Sequence, residues 1–504
     1  MKKKPFLFFL IFFSLLLLAY LPSLQYELIW DSTSLINEND LLKGPFRPLA
    51  PFRHGYWATT SQAFAGNDYY RPLTILSFMT EKALFGLSSK SMRLFNLVFF
   101  YLACLSLFLL MRRFCVSPPE RRLAYTAMLL FACFPLHLDN IIWVVARGDL
   151  LMILFAFPAL LLADIYLEKK TFFPAFSACL AFGLALLAKE SALFFLPILI
   201  LLPLLRRQRP QLAFSLALLL TASGHWLLKG LVTGRQAVPM KCFPGFLENV
   251  LQPLGVLGYY LRSLFYPLHY DMFLAVDDVQ GVLYRLLGAV FLLSLGAGFF
   301  LARHRPFLIL PLSFTAIFIG AHLLMIYTPI YPYAISTRYL LVPLAGFCWL
   351  LALAIDRLPV LLRRVLPIAL AVLFLSVIPL KGAKYRNETA FWASALVSAP
   401  HDPFFLSKCA NQMRLAGRLD QARALLLKAM ERPMQRGTAL TITLLMADIA
   451  LRQGHPRESL EWLERLDEFY PGSLHLKRRE LIVARIKAQL NRESGFDGAE
   501  PEER

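Results

Sequence analysis

Apolar runs of roughly 17 to 22 residues recur along this chain from Pro5 to about Leu380, each as long as a helix must be to cross the hydrocarbon core of a bilayer. No other feature constrains the fold as much. The chain has 504 residues, 58% of them hydrophobic and 17% charged, with a mean hydropathy of +0.56, so it carries more apolar surface than one soluble core can bury. After about Leu380 the hydropathy falls abruptly.

Lys and Arg in short loops favour the cytoplasmic side, so their spacing orients the runs. Lys2, Lys3 and Lys4 precede the first run. The later clusters are Arg112, Arg113, Arg121 and Arg122; Lys169 and Lys170; Arg206, Arg207 and Arg209; Arg303 and Arg305; Arg357, Arg363 and Arg364. Placing all of them inside gives spans near 5–22, 92–113, 123–137, 149–167, 172–188, 191–205, 211–229, 282–302, 307–327, 338–356 and 363–380, with the N-terminus in and the C-terminus out. The stretch 247–268 breaks this pattern if it spans. Its Gln252, Pro253 and Arg262, and Pro267 and His269 at its end, suit a re-entrant or interfacial segment. The first run reads as a retained span, because Leu21-Pro22-Ser23-Leu24-Gln25 offers no small-x-small cleavage site.

The net charge of +19 is explained by these topology determinants beside anionic lipid and does not call for nucleic acid. The seven cysteines are scattered, several inside apolar runs, with no CxxC pair to suggest a metal site or a disulfide framework.

Ionisable groups at a membrane are expensive, so their positions carry information. Most of the interesting ones fall on the outer face. The first outer loop, 23–91, holds Trp30-Asp31-Ser32, Asn37-Glu38-Asn39-Asp40, an aromatic and basic stretch through Tyr56 and Trp57, and Asp68-Tyr69-Tyr70-Arg71-Pro72. Its end, Leu73 to Leu87, reads as a helix on the membrane surface with Glu81 and Lys82 between apolar residues. Further along come Pro135-Leu136-His137-Leu138-Asp139-Asn140 with Trp143, Arg147 and Asp149; the pair Lys189-Glu190; and Tyr327 to Tyr339, which contains Arg338. Each has an ordinary reading as well. Asp31 is then a loop acid, Arg147 and Asp149 an ion pair closing a loop, Lys189 and Glu190 a neutral interfacial pair, His137 a satisfied helix-end histidine, and the Tyr and Trp residues an aromatic belt.

Past Lys384 the chain becomes charged and amphipathic with helical periodicity. Two helix pairs are expected, Phe404 to Leu415 with Leu419 to Met430 around Gly417, and Ala439 to Arg452 with Pro456 to Leu466 around Gly454. A capping helix over Ser473 to Leu490 follows. The two glycines are 37 residues apart, near the tetratricopeptide (TPR) period of about 34. The alternative is a plain helical hairpin. The expected fold class is therefore all-α: a polytopic membrane domain of about eleven helices over 1–383, a TPR-like helical domain over 384–491, and a disordered tail over 492–504.

In order along the chain, Trp30-Asp31, Tyr70-Arg71-Pro72-Leu73-Thr74, Pro135-Leu136-His137 with Trp143 and Arg147-Gly148-Asp149, Ala188-Lys189-Glu190-Ser191 and Arg338-Tyr339-Leu340-Leu341-Val342-Pro343 resemble the transmembrane and tetratricopeptide-repeat (TMTC-like) proteins. These belong to the C-type (GT-C) multi-spanning glycosyltransferase superfamily and are related to protein O-mannosyltransferases. The resemblance covers nearly the whole chain. It implies a polyprenyl-phosphate sugar donor, an acceptor on the outer face and a catalytic acid at Asp31, with Trp30, His137, Asp149, Glu190 and Tyr339 in support. The family commonly has a second acid where this chain has Ser32, which puts activity or the use of a divalent metal in question; metal ligands and any cofactor are left unassigned.

The implied chemistry is an inverting displacement: a carboxylate takes the acceptor's proton, and cations stabilise the departing lipid phosphate. Arg338, Arg71, Arg147 and Lys189 are the candidate phosphate-binding cations. The tail is expected to bind a peptide or partner protein, which favours a protein acceptor modified at its Ser or Thr hydroxyls. A lipid transporter or flippase and a catalytically inactive scaffold are the alternatives. The short N-terminus and compact repeats fit a bacterial inner membrane with the site in the periplasm.

Overall fold

The computed structural model describes residues 4–60, 69–114, 118–234, 245–268, 274, 276–327 and 335–469, and positions 480, 483 and 484. Asp68, the expected capping helix before Leu490 and the expected disordered tail lie outside these or almost entirely so. The regular elements among the described residues are helices, with no strand; Leu274 and Ile335 make an isolated antiparallel bridge. The chain divides into two compact units, residues 1–387 and 388–504.

Among the described residues of the first unit, eight helices are long and apolar enough to cross a membrane: Leu7–Gln25, Ser89–Phe114, Val144–Lys169, Leu212–Thr233, Val282–Ala302, Ile309–Tyr327, Thr337–Asp356 and Val360–Tyr385. A ninth comes from Arg122–Cys133 and Pro135–Ile142 if they count as one span, bent by 50° where Pro135 breaks the helix. Phe172–Ala188 and Glu190–Leu205 are apolar but shorter. The first unit is a multi-pass membrane domain, and many of its outward faces are bare leucine and phenylalanine, as lipid contact requires. The helix Phe246–Phe265, expected as re-entrant or interfacial, is unbroken and not among the long apolar candidates. It runs antiparallel against Val282–Ala302 with the backbones touching. A Cβ on Gly258 would overlap the Tyr284 carbonyl, and one on Gly288 would overlap that of Leu254.

The two ends of the spans carry different chemistry. At one end the buried Asp164 takes Arg113 and Arg206 together, the latter at 2.6 Å, while Asp356 pairs with Arg122. At the other end lie Asp31, Arg71, Asp149, Lys189 and Arg338. Val144–Lys169 places Asp149 and Asp164 near its opposite ends, so the two clusters are separated by about 1.5 Å per residue of helix.

The second unit begins with Glu388–Ser398 and then forms two helix pairs, Pro403–Leu415 with Leu419–Met430 and Arg436–Arg452 with Pro456–Phe469. Gly417 and Gly454 close them with φ of +76° and +82°, where a side chain would be strained. Leu406, Ala410, Ala422, Leu426, Ala429 and Ile449 form part of one core, and the Arg414 to Asp448 pair, 2.5 Å, ties the two helix pairs together.

Candidate active site

The sequence motifs converge because small residues let their backbones meet. Thr74 donates to the Ala188 carbonyl at 2.9 Å, and a Cβ on Gly148 would sit 3.2 Å from both that carbonyl and the Thr74 hydroxyl. The segments 70–74, 147–149 and 188–191 therefore pack as one knot. Two ion pairs cross it. Arg71 Nε meets Glu190 Oε2 at 2.9 Å, with the Tyr70 amide donating to the other oxygen at 2.8 Å, and Lys189 pairs with Asp149. The two expected local pairings, Arg147 with Asp149 and Lys189 with Glu190, are not formed. Helical neighbours two apart face different sides, so Arg147 and Asp149 take separate partners, and Lys189 and Glu190 likewise diverge.

Arg147 needs a further correction. Its guanidinium is fully buried, 2.7 Å from Glu81 Oε2, donating to Asn96 Oδ1 at 2.8 Å and to the Met92 carbonyl at 2.9 Å, and lying 3.8 Å from the Phe78 ring centre. These contacts make it a brace between helices rather than a cation open to a ligand. Glu81 is accordingly no solvated residue of a surface helix. Glu81→Ala leaves the Arg147 charge buried without its carboxylate and is expected to cost about 3–5 kcal/mol; a melting curve in detergent checks this, and an unchanged Tm would contradict the brace. His137 is also sealed, its ring between Phe100 and Phe131 at 4.7 and 4.6 Å.

Asp31 opens the short helix Asp31–Asn37, with its carboxylate near the free N–H groups of the first turn. Trp30 before it has φ of +51°, a strained value for a side-chain-bearing residue. The Trp30 indole lies flat on that of Trp143, ring centres 5.3 Å apart and 3° from parallel, and Trp143 Nε1 donates to Asp31 Oδ1 at 2.9 Å. The Arg338 guanidinium sits 4.7 Å from the Trp143 ring centre and 5.0 Å from that of Tyr339, donating to the Tyr339 hydroxyl at 3.1 Å. Tyr339 in turn stacks on His322, 4.4 Å between ring centres. Arg338 is within electrostatic reach of Asp31 and Asp149, and Lys189 within reach of Arg71 and Arg338, so acids and cations share one site. Burial pushes the Asp31 carboxyl up to about 7, against the pull of Arg338 and the Trp143 hydrogen bond.

Asp31, Arg71, Lys189, Glu190 and Arg338 all keep some exposure, unlike Arg147 and His137. Ser32, where the family commonly has its second acid, is buried at 1% exposure. Among the described residues no group of three or more His, Cys, Asp or Glu side chains is arranged to hold a metal ion.

Two residues that hold this geometry have no role in the sequence reading: Arg93 is passed over, and Asp139 is named only as part of an outer-face segment. Arg93, in the membrane helix Ser89–Phe114, donates to the carbonyls of Ile142 at 3.0 Å, Tyr26 at 2.5 Å and Glu27 at 2.6 Å. It thereby fastens the chain leading into Asp31 against the chain leading into Trp143. Asp139, fully buried, accepts from Thr337 at 2.9 Å and from Tyr385, with Lys384 at 3.7 Å. A charged residue inside an apolar run was the available signal for Arg93.

No family model matches the chain. In sequence it is similar to a protein O-mannosyl-transferase of Caenorhabditis elegans, 25% identical over 414 residues that cover 78% of this chain and 58% of that protein. Other similar proteins are also protein O-mannosyl-transferases, of the TMTC type. Protein O-mannosyl-transferase TMTC3 of Mus musculus is 26% identical over 47% of this chain and 25% of its own length, and Tmtc3 of Drosophila melanogaster is 31% identical over 27% and 16%. The chain thus spans less than two thirds of each of these relatives. Among solved structures, ArnT from Cupriavidus metallidurans bound to undecaprenyl phosphate aligns with 90% of this chain and 80% of its own, at 17% identity and a TM-score of 0.41, a distant likeness.

Proposed function

We propose that this chain is a membrane glycosyltransferase that moves a sugar from a polyprenyl-phosphate carrier to a hydroxyl group of a protein, with inversion at the anomeric carbon. Mannose is the favoured sugar, from the names its relatives carry. The observation that carries this reading is the pairing of a partly exposed carboxylate, Asp31, with the guanidinium of Arg338 across the Trp143 indole. Asp31 takes the acceptor's proton as the acceptor oxygen bonds to the anomeric carbon. The bond from that carbon to the phosphate oxygen breaks, and the polyprenyl phosphate leaves with its charge held by Arg338, Arg71 and Lys189. Arg147 is left out of this set because it is fully buried and held between Glu81, Asn96 and Met92. Glu190 and Asp149 keep Arg71 and Lys189 in place.

In the same reading the apolar helices make eleven spans, counting the bent pair and the two shorter helices, with the site and the second unit on the outer side. The second unit is a TPR-like module that presents the protein acceptor. The test is purified protein in liposomes with radiolabelled polyprenyl-phosphate mannose and an unstructured Ser/Thr-rich protein. Label on the protein with inverted configuration is expected. Labelled lipid crossing the bilayer with no transfer would overturn the reading in favour of a transporter.

A further inference from the structure

Trp143 is at the centre of the site, yet the reaction as described uses neither its N–H nor its ring. It is 2% exposed, too enclosed to serve as a platform for a sugar. Three separate contacts define its place. Its Nε1 donates to Asp31 Oδ1 at 2.9 Å, its ring lies flat on Trp30, and the Arg338 guanidinium packs 4.7 Å from its ring centre. It ends the short helix Leu138–Ile142, which holds the opposite wall too: Asp139 accepts from Thr337, and Asn140 donates to the Arg338 carbonyl at 3.4 Å. One short segment therefore fixes both the acid and the cation.

We infer that Trp143 is a positioning residue whose indole N–H holds the Asp31 carboxylate in its working orientation at a set distance from Arg338. The inference rests on the proposed role of Asp31. Removing the N–H has a definite consequence, because a donor to a carboxylate favours the ionised form. Arg338 and the Tyr56 hydroxyl are titratable side chains within electrostatic reach of Asp31, and Trp143 keeps its ring against Arg338 when it loses only its N–H.

The test replaces Trp143 with benzothienylalanine by nonsense suppression, which keeps the ring's size and stacking and substitutes sulfur for the N–H; Trp143→Phe is the second variant. The first readout needs no activity. Protonated, buried carboxyls react with a hydrophobic carbodiimide, so labelling of Asp31 against pH, read by mass spectrometry, reports its titration. A midpoint near 7 is expected in the unaltered protein, and one about a unit higher in the benzothienylalanine protein. The second readout is sugar transfer: the acid limb of the rate moves up by the same amount, kcat at pH 7 falls about fivefold, and KM for the lipid donor stays within about twofold. An unmoved labelling midpoint would overturn the positioning role. A moved midpoint in a protein that transfers no sugar would uphold the contact and count against the glycosyltransferase reading instead.

Discussion

Asp31→Asn lowers the rate of sugar transfer by about 10²- to 10⁴-fold at equal expression, the range lost when a positioned base is removed. Asparagine keeps the size of the side chain and an oxygen that can still accept from Trp143 Nε1, so the melting temperature is expected to stay within a few degrees of the original and separate lost chemistry from lost fold. The unaltered protein should carry the same residue's signature in its pH profile. Asp31 is held up to about 7 by burial, and a base works only when ionised. The rate therefore falls about tenfold for each pH unit below that value and levels off above it. The sign matters: a carboxyl raised by burial loses activity on the acid side at neutral rather than at strongly acidic pH. Normal transfer by the asparagine variant, or a flat profile from pH 5 to 8, would remove Asp31 from the reaction.

What could be read in the sequence follows from the range of the interactions involved. A span is a local property, so the apolar runs mark the long helices directly, and the helix ends at Gly417 and Gly454 are marked by a residue type that tolerates a left-handed backbone. Pairings across the fold are another matter. Arg147 and Asp149 stand two apart and so look like partners, but on a helix that spacing turns them to different neighbours, Glu81 and Lys189. Glu81 lies 66 positions from Arg147 by number, and nothing in its own surroundings distinguishes it from a polar-face residue. Arg93 and Asp139 bring the Trp30-Asp31, Trp143 and Arg338 segments together through buried hydrogen bonds to distant backbone and side chains. A charge within an apolar run, as at Arg93, or in an outer-face polar segment, as at Asp139, signals importance, but only the fold says for what. The motifs therefore disclosed which segments meet, while the partners of each charge came from the packing.

Arg338→Gln is expected to cost about 10²- to 10³-fold in kcat, the usual loss when a preorganised donor to a developing negative charge is removed. Three partly exposed cations share the site, and their surroundings rank them. Arg71 is drawn into an ion pair with Glu190, and Lys189 into one with Asp149. Part of each charge is thereby neutralised before a phosphate arrives. Arg338 is braced by stacking on Trp143 and Tyr339, as Arg71 is on Tyr69 and Tyr56, but it alone of the three lies against the indole that donates to Asp31. Stacking orients a planar guanidinium without cancelling its charge, which suits a group that must meet charge as the phosphate departs. Lysine at this position keeps the charge and loses the fork and the stack, so Arg338→Lys should recover only part of the rate. Arg147→Gln provides the contrast: it lowers the melting temperature, while each molecule that remains folded transfers sugar at close to the original rate. Should Arg338→Gln prove no slower than Lys189→Gln under the same conditions, the departing phosphate is held by the ion-paired cations, and the centre of the site shifts from Trp143 toward the knot formed by Thr74, Gly148 and Ala188.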